Sequence, residues 1–455
     1  MAFLDPHTPT PLIPASVYAN RRRALAQRMG VGSLAIIPTA PEQVRNRDAH
    51  FPYRAESYFY YLTGFEEPNA YLLLDGGSGK ATLLCQPKDL AREIWDGYRL
   101  GPDAAPAALG VDAAFSVEAL HSKLPELLGN KDALYYPFAQ HAGLPAQIET
   151  WLAAVRAQAR SGLRCPQALR DVCALLDEMR LHKDADEVAL MRHAGVISAA
   201  GHIRAMQTSA RMLRSGQDVR EFHLEAELLH AFRQAGSAAP AYTSIVAAGA
   251  NACVLHYRAG NAPVRAGDLV LIDAACEWQN YASDITRTFP ADGRFTPAQA
   301  AVYEVVLAAQ EAAIAATRAG VTFDSVHQAA LQVLVQGLFD LKVLRTDAHG
   351  SVQDAIASRA YAPYYMHRTS HWLGLDVHDA GSYVEADGTS RILQPGMALT
   401  IEPGLYLRPS AEVPEALHHI GIRIEDDAVV QTQGCELLTR AVPVAMAEIE
   451  ALMRD

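Results

Sequence analysis

The chain has 455 residues, half of them hydrophobic and 20% charged, with a formal net charge of −12. A chain of this length exceeds the size at which one core stops growing, so two domains are expected, and the acidic balance excludes nucleic acid as the main partner, because phosphate binding needs a basic face. The six cysteines (Cys85, Cys165, Cys173, Cys253, Cys276 and Cys435) contain no CxxC pair, which points to a reducing compartment and away from a disulfide framework or a zinc ribbon.

The first residues carry Asp5, His7 and four prolines before residue 15, without the apolar core of a signal peptide, and no run of about 18 apolar residues occurs anywhere. A cytoplasmic protein without a membrane partner is therefore expected. Arg21, Arg22 and Arg23 form a short basic cluster in a helix-like stretch. Short apolar runs then alternate with helical stretches, at SLAIIP (33–38), SYFYYLTGF (57–65), AYLLLDGGSGKATLLC (70–85) and ALYYPF (133–138). This is an α/β pattern. The phosphate-loop reading of DGGSGK fails: GxxxxGK[ST] needs glycine where Leu74 stands and a hydroxyl residue where Ala81 stands. Lying between two strand-like runs, it is expected to be a hairpin turn. The acidic EEP at 66–68 reads as a solvated turn.

From about Asp171 to Met212 the pattern turns helical, with Leu175, Leu176, Met179, Val188, Met191 and Ile197 near a period of 3.6. The domain boundary is placed there, giving an α/β domain over 1–175 and an α+β domain over 176–455. The second domain is expected to run as a helix at 218–235, strands at 242–289, two Ala-rich helices at 297–338 and a second strand-rich stretch from His371 to Val430. His182, His193, His202, His223 and His230 fall in helical stretches without an acidic cluster and read as surface or structural residues.

Two stretches of this domain carry acid where a strand is normally apolar. LVLID delivers Asp273, and after a polar turn ASDITRTF brings back Asp284, a spacing that suits facing positions on a hairpin. MALTIEPGLYL places Glu402, and IGIRIEDD places Glu425 with Arg423 two positions earlier. Each acid alone could cap a turn or face water. Buried together they need cations, since a buried carboxylate is costly unless it is paired or coordinates a metal.

The segment HRTSHWLGLDVHD (367–379) adds three histidines. His367 and His371 have the i, i+4 spacing of a zinc helix, but Arg368 stands within it and Gly374 interrupts an alternation of Leu373, Leu375 and Val377 that is strand-like. If 373–378 is extended, His371 and His378 project to opposite sides, so at most one of them ligates a given ion. Four carboxylates and one imidazole form an oxygen-rich set suited to two divalent ions, with manganese, iron or cobalt more natural than thiolate-type zinc. Two such ions support metal-assisted hydrolysis.

In LVLIDAACEWQNYASDITRTFP, HRTSHWLGLDVHDAG, LQPGMALTIEPGLY and GIRIEDD, in that order, the chain resembles the aminopeptidase P branch of the pita-bread metallopeptidases. YRAESYFYYLTGFEEPNA and EIWDGYRLGPDAAP extend the resemblance through the first domain. It implies an aminopeptidase P-type α/β N-terminal domain, bordering the substrate entrance, and a pita-bread catalytic domain. It also implies two divalent ions, Mn²⁺ foremost with Co²⁺, Fe²⁺ or Zn²⁺ as alternatives. By motif, Asp273 would bind one metal, Asp284 and Glu425 would bridge both, and His371 and Glu402 would complete the other site. His256 (in CVLHYRAGN), His367 and His378 would bind substrate and assist catalysis, Glu402 would also accept a proton, Arg423 would orient Glu425, and Tyr406 would line a proline pocket. Asp48 would approach the active site of a neighbouring subunit in a homo-oligomer, dimer or tetramer. Arg368 departs from the family pattern, in which a small residue often follows the first histidine. The implied activity is release of the N-terminal residue from peptides with proline second. The rivals are an Xaa-Pro dipeptidase of the same superfamily and a non-catalytic binding module, which would have lost ligands.

Overall fold

The computed structural model describes residues 10–258 and 260–454; the proline-rich start with Asp5 and His7 lies outside them. The chain divides into two compact units, one of Ile13–Arg180 and one built on Leu181–Asp455.

In the first unit the apolar runs Ser33–Pro38, Tyr71–Asp75, Ala81–Cys85 and Ala133–Tyr136 are strands of a six-stranded mixed sheet, completed by Ala113–Ser116 and Ala168–Asp171. Tyr71–Asp75 and Ala81–Cys85 pair antiparallel, so DGGSGK is the hairpin turn. There the Asp75 carboxylate accepts the backbone N–H of Gly77 and Ser78. The run at 57–65 departs from its strand-like reading and folds as the helix Ser57–Thr63. The Glu56 side chain accepts the N–H of Phe59 at its start, and Gly64 closes it in the left-handed conformation. The EEP turn is also less solvated than read, since Glu67 is half-buried and accepts the N–H of Leu100 at 2.7 Å.

The second unit opens with the helix Ala185–Arg214, started by a reciprocal cap between Asp184 and Glu187, and continues with Glu221–Gln234. The Ala-rich helices follow at Pro297–Ala316 and Phe323–Asp340. Ile197, Leu228, Val270, Ile272, Val302, Leu334, Leu399 and Ile422 share one buried core, so helices and strands of this unit are packed as a single body.

Two strand systems position the acids. Leu269–Asp273 pairs antiparallel with Thr286–Pro290 and on its other side with Ile245–Ala248. The second system is one long antiparallel ribbon with a break. Ala398–Ile401 pairs with Asp426–Val430, and Gly404–Leu407 pairs with Ile420–Arg423 in the same register. The break falls at Glu402-Pro403 and Ile424-Glu425. Pro403 has no N–H to give the ladder, so the strands part there and both acids are released from the sheet. Gly404 follows because a Cβ there would lie 2.8 Å from the carbonyl oxygen of Ile422 and from the Tyr406 hydroxyl.

Two readings of this region are corrected. Between His371 and Arg391 the described residues form bends and isolated bridges rather than strands. The reason is side-chain anchoring: the buried Asp379 accepts the Asp376 N–H and the Lys183 ammonium, curling the backbone back on itself. Asp284 does not face Asp273. The partner of Asp273 is Thr286, because a small second hairpin, Glu277–Trp278 with Tyr281–Ala282, uses up chain between the two long strands. Among the structural histidines, His202 is fully buried in the helix Ala185–Arg214 and donates from Nε2 to the Ala274 carbonyl at 2.7 Å.

Candidate metal centre and substrate cavity

The break in the ribbon and the end of Leu269–Asp273 open onto one cavity of about 880 Å³, lined among others by His256, Asp273, Asp284, His367, Arg368, His371, His378, Glu402, Arg423 and Glu425. Ligand atoms of Asp284, His371 and Glu425 lie within 4.8 Å of one another. His371 Nε2 is 3.5 Å from Asp284 Oδ2 and 3.7 Å from Glu402 Oε1. Its Nδ1 donates to the Trp372 carbonyl at 2.9 Å, which fixes the ring and leaves Nε2 facing the acids.

Three of the carboxylates are each held by one oxygen. Tyr242 donates to Asp284 Oδ1 at 2.5 Å and Thr286 to Glu425 Oε2 at 2.7 Å. Asp273 Oδ2 accepts from Arg423 at 2.6 Å, while its Oδ1 is buried without a partner. Burial, reinforced by neighbouring carboxylates, pushes Asp284 and Glu425 above the ordinary carboxylate range. Burial likewise pushes Glu402 up to about 7, although His371 and Arg423 oppose it. For His371 burial acts downward, but the Asp284 and Glu402 carboxylates push it up to about 9. Four acids on one cavity, with ligand atoms of Asp284, His371 and Glu425 clustered together and a buried oxygen left over, fit hard divalent cations rather than a thiolate zinc site.

Arg423 is the hub behind this set. It donates from Nε to Thr286, from one terminal nitrogen to Tyr406 at 2.9 Å and from the other to Asp273. The Tyr406 hydroxyl in turn donates to His367 Nε2 at 2.8 Å, since His367 Nδ1–H is given to the Arg368 carbonyl. Burial and the Arg423 charge pull His367 down to about 3, so this ring stays neutral at physiological pH. The structure corrects the opposite-sides reading of His371 and His378: their rings meet edge to face with centroids 4.3 Å apart, because 373–378 is bent. His256 and His378 are exposed and face the cavity.

Tyr406 is fully buried and not among the lining residues; it stands behind His367 and Arg423, so its expected place in the proline pocket is corrected to a supporting one. Phe323, Val377, Tyr383 and Val384 give the cavity apolar and aromatic lining. Asp48 is exposed on the turn of the Val44–Asn46 and Ala49–His50 hairpin in the first unit. Arg368 lies at the rim, 2.5 Å from Asp324. Sequence reasoning missed Tyr242, Thr286 and the aromatic wall. Tyr242, Phe323 and Tyr383 lie outside the motifs, and although Thr286 lies within ASDITRTF, only its register against Asp273 could have flagged it.

The comparisons agree with this geometry. Residues 189–432 match the metallopeptidase family M24, and residues 18–135 match the aminopeptidase P N-terminal domain. The fold and the site thus define a two-domain metallopeptidase, and the chain belongs to the M24 family in its aminopeptidase P arrangement, with a pita-bread second unit. It is 44% identical to the Xaa-Pro aminopeptidase of Escherichia coli (strain K12), over 96% of this chain and 97% of that one. It is 32% identical to human Xaa-Pro aminopeptidase 3, over 99% and 88%. The structure of Pseudomonas aeruginosa aminopeptidase PepP superposes with a TM-score of 0.93 at 46% identity, covering 97% of this chain and 98% of that one. A zinc-substituted Escherichia coli aminopeptidase P in complex with product superposes at 0.92 with 43% identity and the same coverage.

Proposed function

We propose that this chain is a dinuclear metalloaminopeptidase that hydrolyses the first peptide bond of peptides with proline in the second position. The observation that carries the reading is the convergence of Asp273, Asp284, His371, Glu402 and Glu425 on one cavity that His256, His367 and His378 also line. Asp273, Asp284 and Glu425 would hold one ion, and Asp284, Glu425, His371 and Glu402 would hold the other, with manganese preferred and cobalt, iron or zinc accepted. When bound, the pair polarises the scissile carbonyl and lowers the pKa of a water. Glu402 accepts the proton of the attacking water.

His256 and His378 donate N–H to the carbonyl oxygen and to the proline nitrogen as the C–N bond breaks, which an ionised carboxylate cannot do. Arg423 holds Asp273 and, through Tyr406, sets the ring plane of His367. The proline ring, which leaves no amide N–H, fills the apolar wall of Phe323, Val377, Tyr383 and Val384. The enzyme works as a homo-oligomer in the cytoplasm; no helix among the described residues is long and apolar enough to cross a membrane. The test is metal content: chelation abolishes activity and manganese restores it, at two ions per chain. Asp284→Ala empties both sites, whereas His378→Ala keeps both ions and loses turnover. Full activity in metal-free protein contradicts the reading, and loss of both ions in His378→Ala contradicts the division of the histidines.

A further inference from the structure

His256 sits on an irregular stretch of chain, and its aim into the cavity therefore depends on what holds that stretch. On the upstream side a side-chain hydrogen bond and a close backbone approach hold the chain. Arg408 donates from Nε to the Cys253 carbonyl at 3.1 Å, and Gly421 lets the turn Gly249–Cys253 lie so close that a Cβ would stand 2.3 Å from the Ala252 oxygen. A further anchor, which reaches both sides of His256, is a single side chain. Glu221, on the first turn of the helix Glu221–Gln234, is fully buried. Its Oε1 accepts the Ala248 N–H at 3.0 Å and the Asn251 amide at 2.9 Å, and its Oε2 accepts the Tyr257 hydroxyl at 2.7 Å. Its own N–H donates to the Ala262 carbonyl.

A carboxylate is the costliest side chain to bury, and full satisfaction by donors is what makes burial tolerable. All three donors here belong to 248–257, the stretch that ends beside His256. An apolar residue at this helix position would fill the core equally well but could not tie the strand end, the turn and Tyr257 to one point. We infer that Glu221 is a positioning residue, which fixes through Asn251 and Tyr257 the place at which His256 meets the substrate. This rests on the peptidase reading of His256, and the test separates the two.

The full-length, manganese-loaded protein is compared with Glu221→Ala, Glu221→Gln, Tyr257→Phe, His256→Ala and the Glu221→Ala/His256→Ala double variant. The readouts are kcat/KM on Ala-Pro-Ala, metal content, and amide hydrogen exchange of 248–257. The expected loss in Glu221→Ala is about tenfold to a hundredfold, as for a misplaced catalytic group, with metal content unchanged and faster exchange confined to the segment. Glu221→Gln, which can still bond Tyr257, recovers most of the activity, and Tyr257→Phe loses less than Glu221→Ala. The double variant falls no more than about twofold below His256→Ala, because both changes remove the same contact. Losses that multiply, or exchange that does not change, overturn the inference alone. Unchanged activity in His256→Ala instead overturns the place given to that histidine in the peptidase reading, and the positioning role with it. If Glu221→Ala does not fold, the Tyr257→Phe/His256→Ala cycle decides by the same non-additivity.

Discussion

Asp284 shows how much of the site is decided by groups outside the proposed ligand set. Its backbone N–H is taken by Asp427, its Oδ1 by Tyr242, and only Oδ2 is left toward His371. Removing the Tyr242 hydroxyl frees the carboxylate to rotate, so Tyr242→Phe should weaken manganese binding by about tenfold to a hundredfold, the usual cost of losing a group that orients a ligand. Calorimetric titration of the metal-free protein reads this directly, and an unchanged affinity rules it out.

A second residue-scale prediction concerns acid. Burial, aided by the Arg287 charge, pulls His202 down from 6.5 to about 4, so the folded state stays neutral where the unfolded chain takes up a proton. The stability this histidine allows is complete above pH 6.5 and is lost as pH falls toward 4, levelling off below it; the loss is on the order of 3 kcal/mol. His202→Gln, which keeps a donor for the Ala274 carbonyl but does not titrate, should lose less stability between pH 7 and pH 4.5 than the parent in urea unfolding. Equal losses contradict the account.

At the scale of elements, the helices Pro297–Ala316 and Phe323–Asp340 approach so closely at Gly337 that a Cβ there would lie 2.2 Å from Val305 Cγ1 and 3.0 Å from its Cβ. Alanine would gain about 1 kcal/mol of helix propensity, but the stiff β-branched neighbour cannot yield and overpacking costs about 1–3 kcal/mol. Gly337→Ala should therefore lower the urea midpoint, and adding Val305→Ala should restore part of it; a more stable single variant would show that the helices can part freely.

These two helices were legible in the sequence because their apolar period is uninterrupted over many turns. The stretch from His371 to Arg391 was not. Its alternating Leu373, Leu375 and Val377 imitate a strand, while its real path is set by Asp379 and Lys183, far apart in sequence. For the same reason the motif residues themselves were legible as a set of types, yet the adjacency of His371 and His378 and the supporting role of Tyr406 depended on a path that no local pattern carries.

At the scale of the molecule, the break in one antiparallel ribbon places Glu402 and Glu425 beside the end of a second strand system carrying Asp273, and all proposed chemistry lies in the second unit. The order of helices and strands, and the division into an α/β and an α+β part, could be read from periodicity because each unit buries its own core. The central claim is that this cavity selects proline second in the chain and accepts residues beyond it. Added contacts past the proline contribute to transition-state binding, whereas alanine in its place leaves the apolar wall unfilled. The direct measurement is kcat/KM of the manganese-loaded protein for Ala-Pro, Ala-Pro-Ala and Ala-Ala-Ala in one buffer. The account predicts that Ala-Pro-Ala is cleaved fastest. A dipeptide cleaved faster than the tripeptide would make the protein a dipeptidase, and Ala-Ala-Ala as the best substrate would contradict the proline specificity itself.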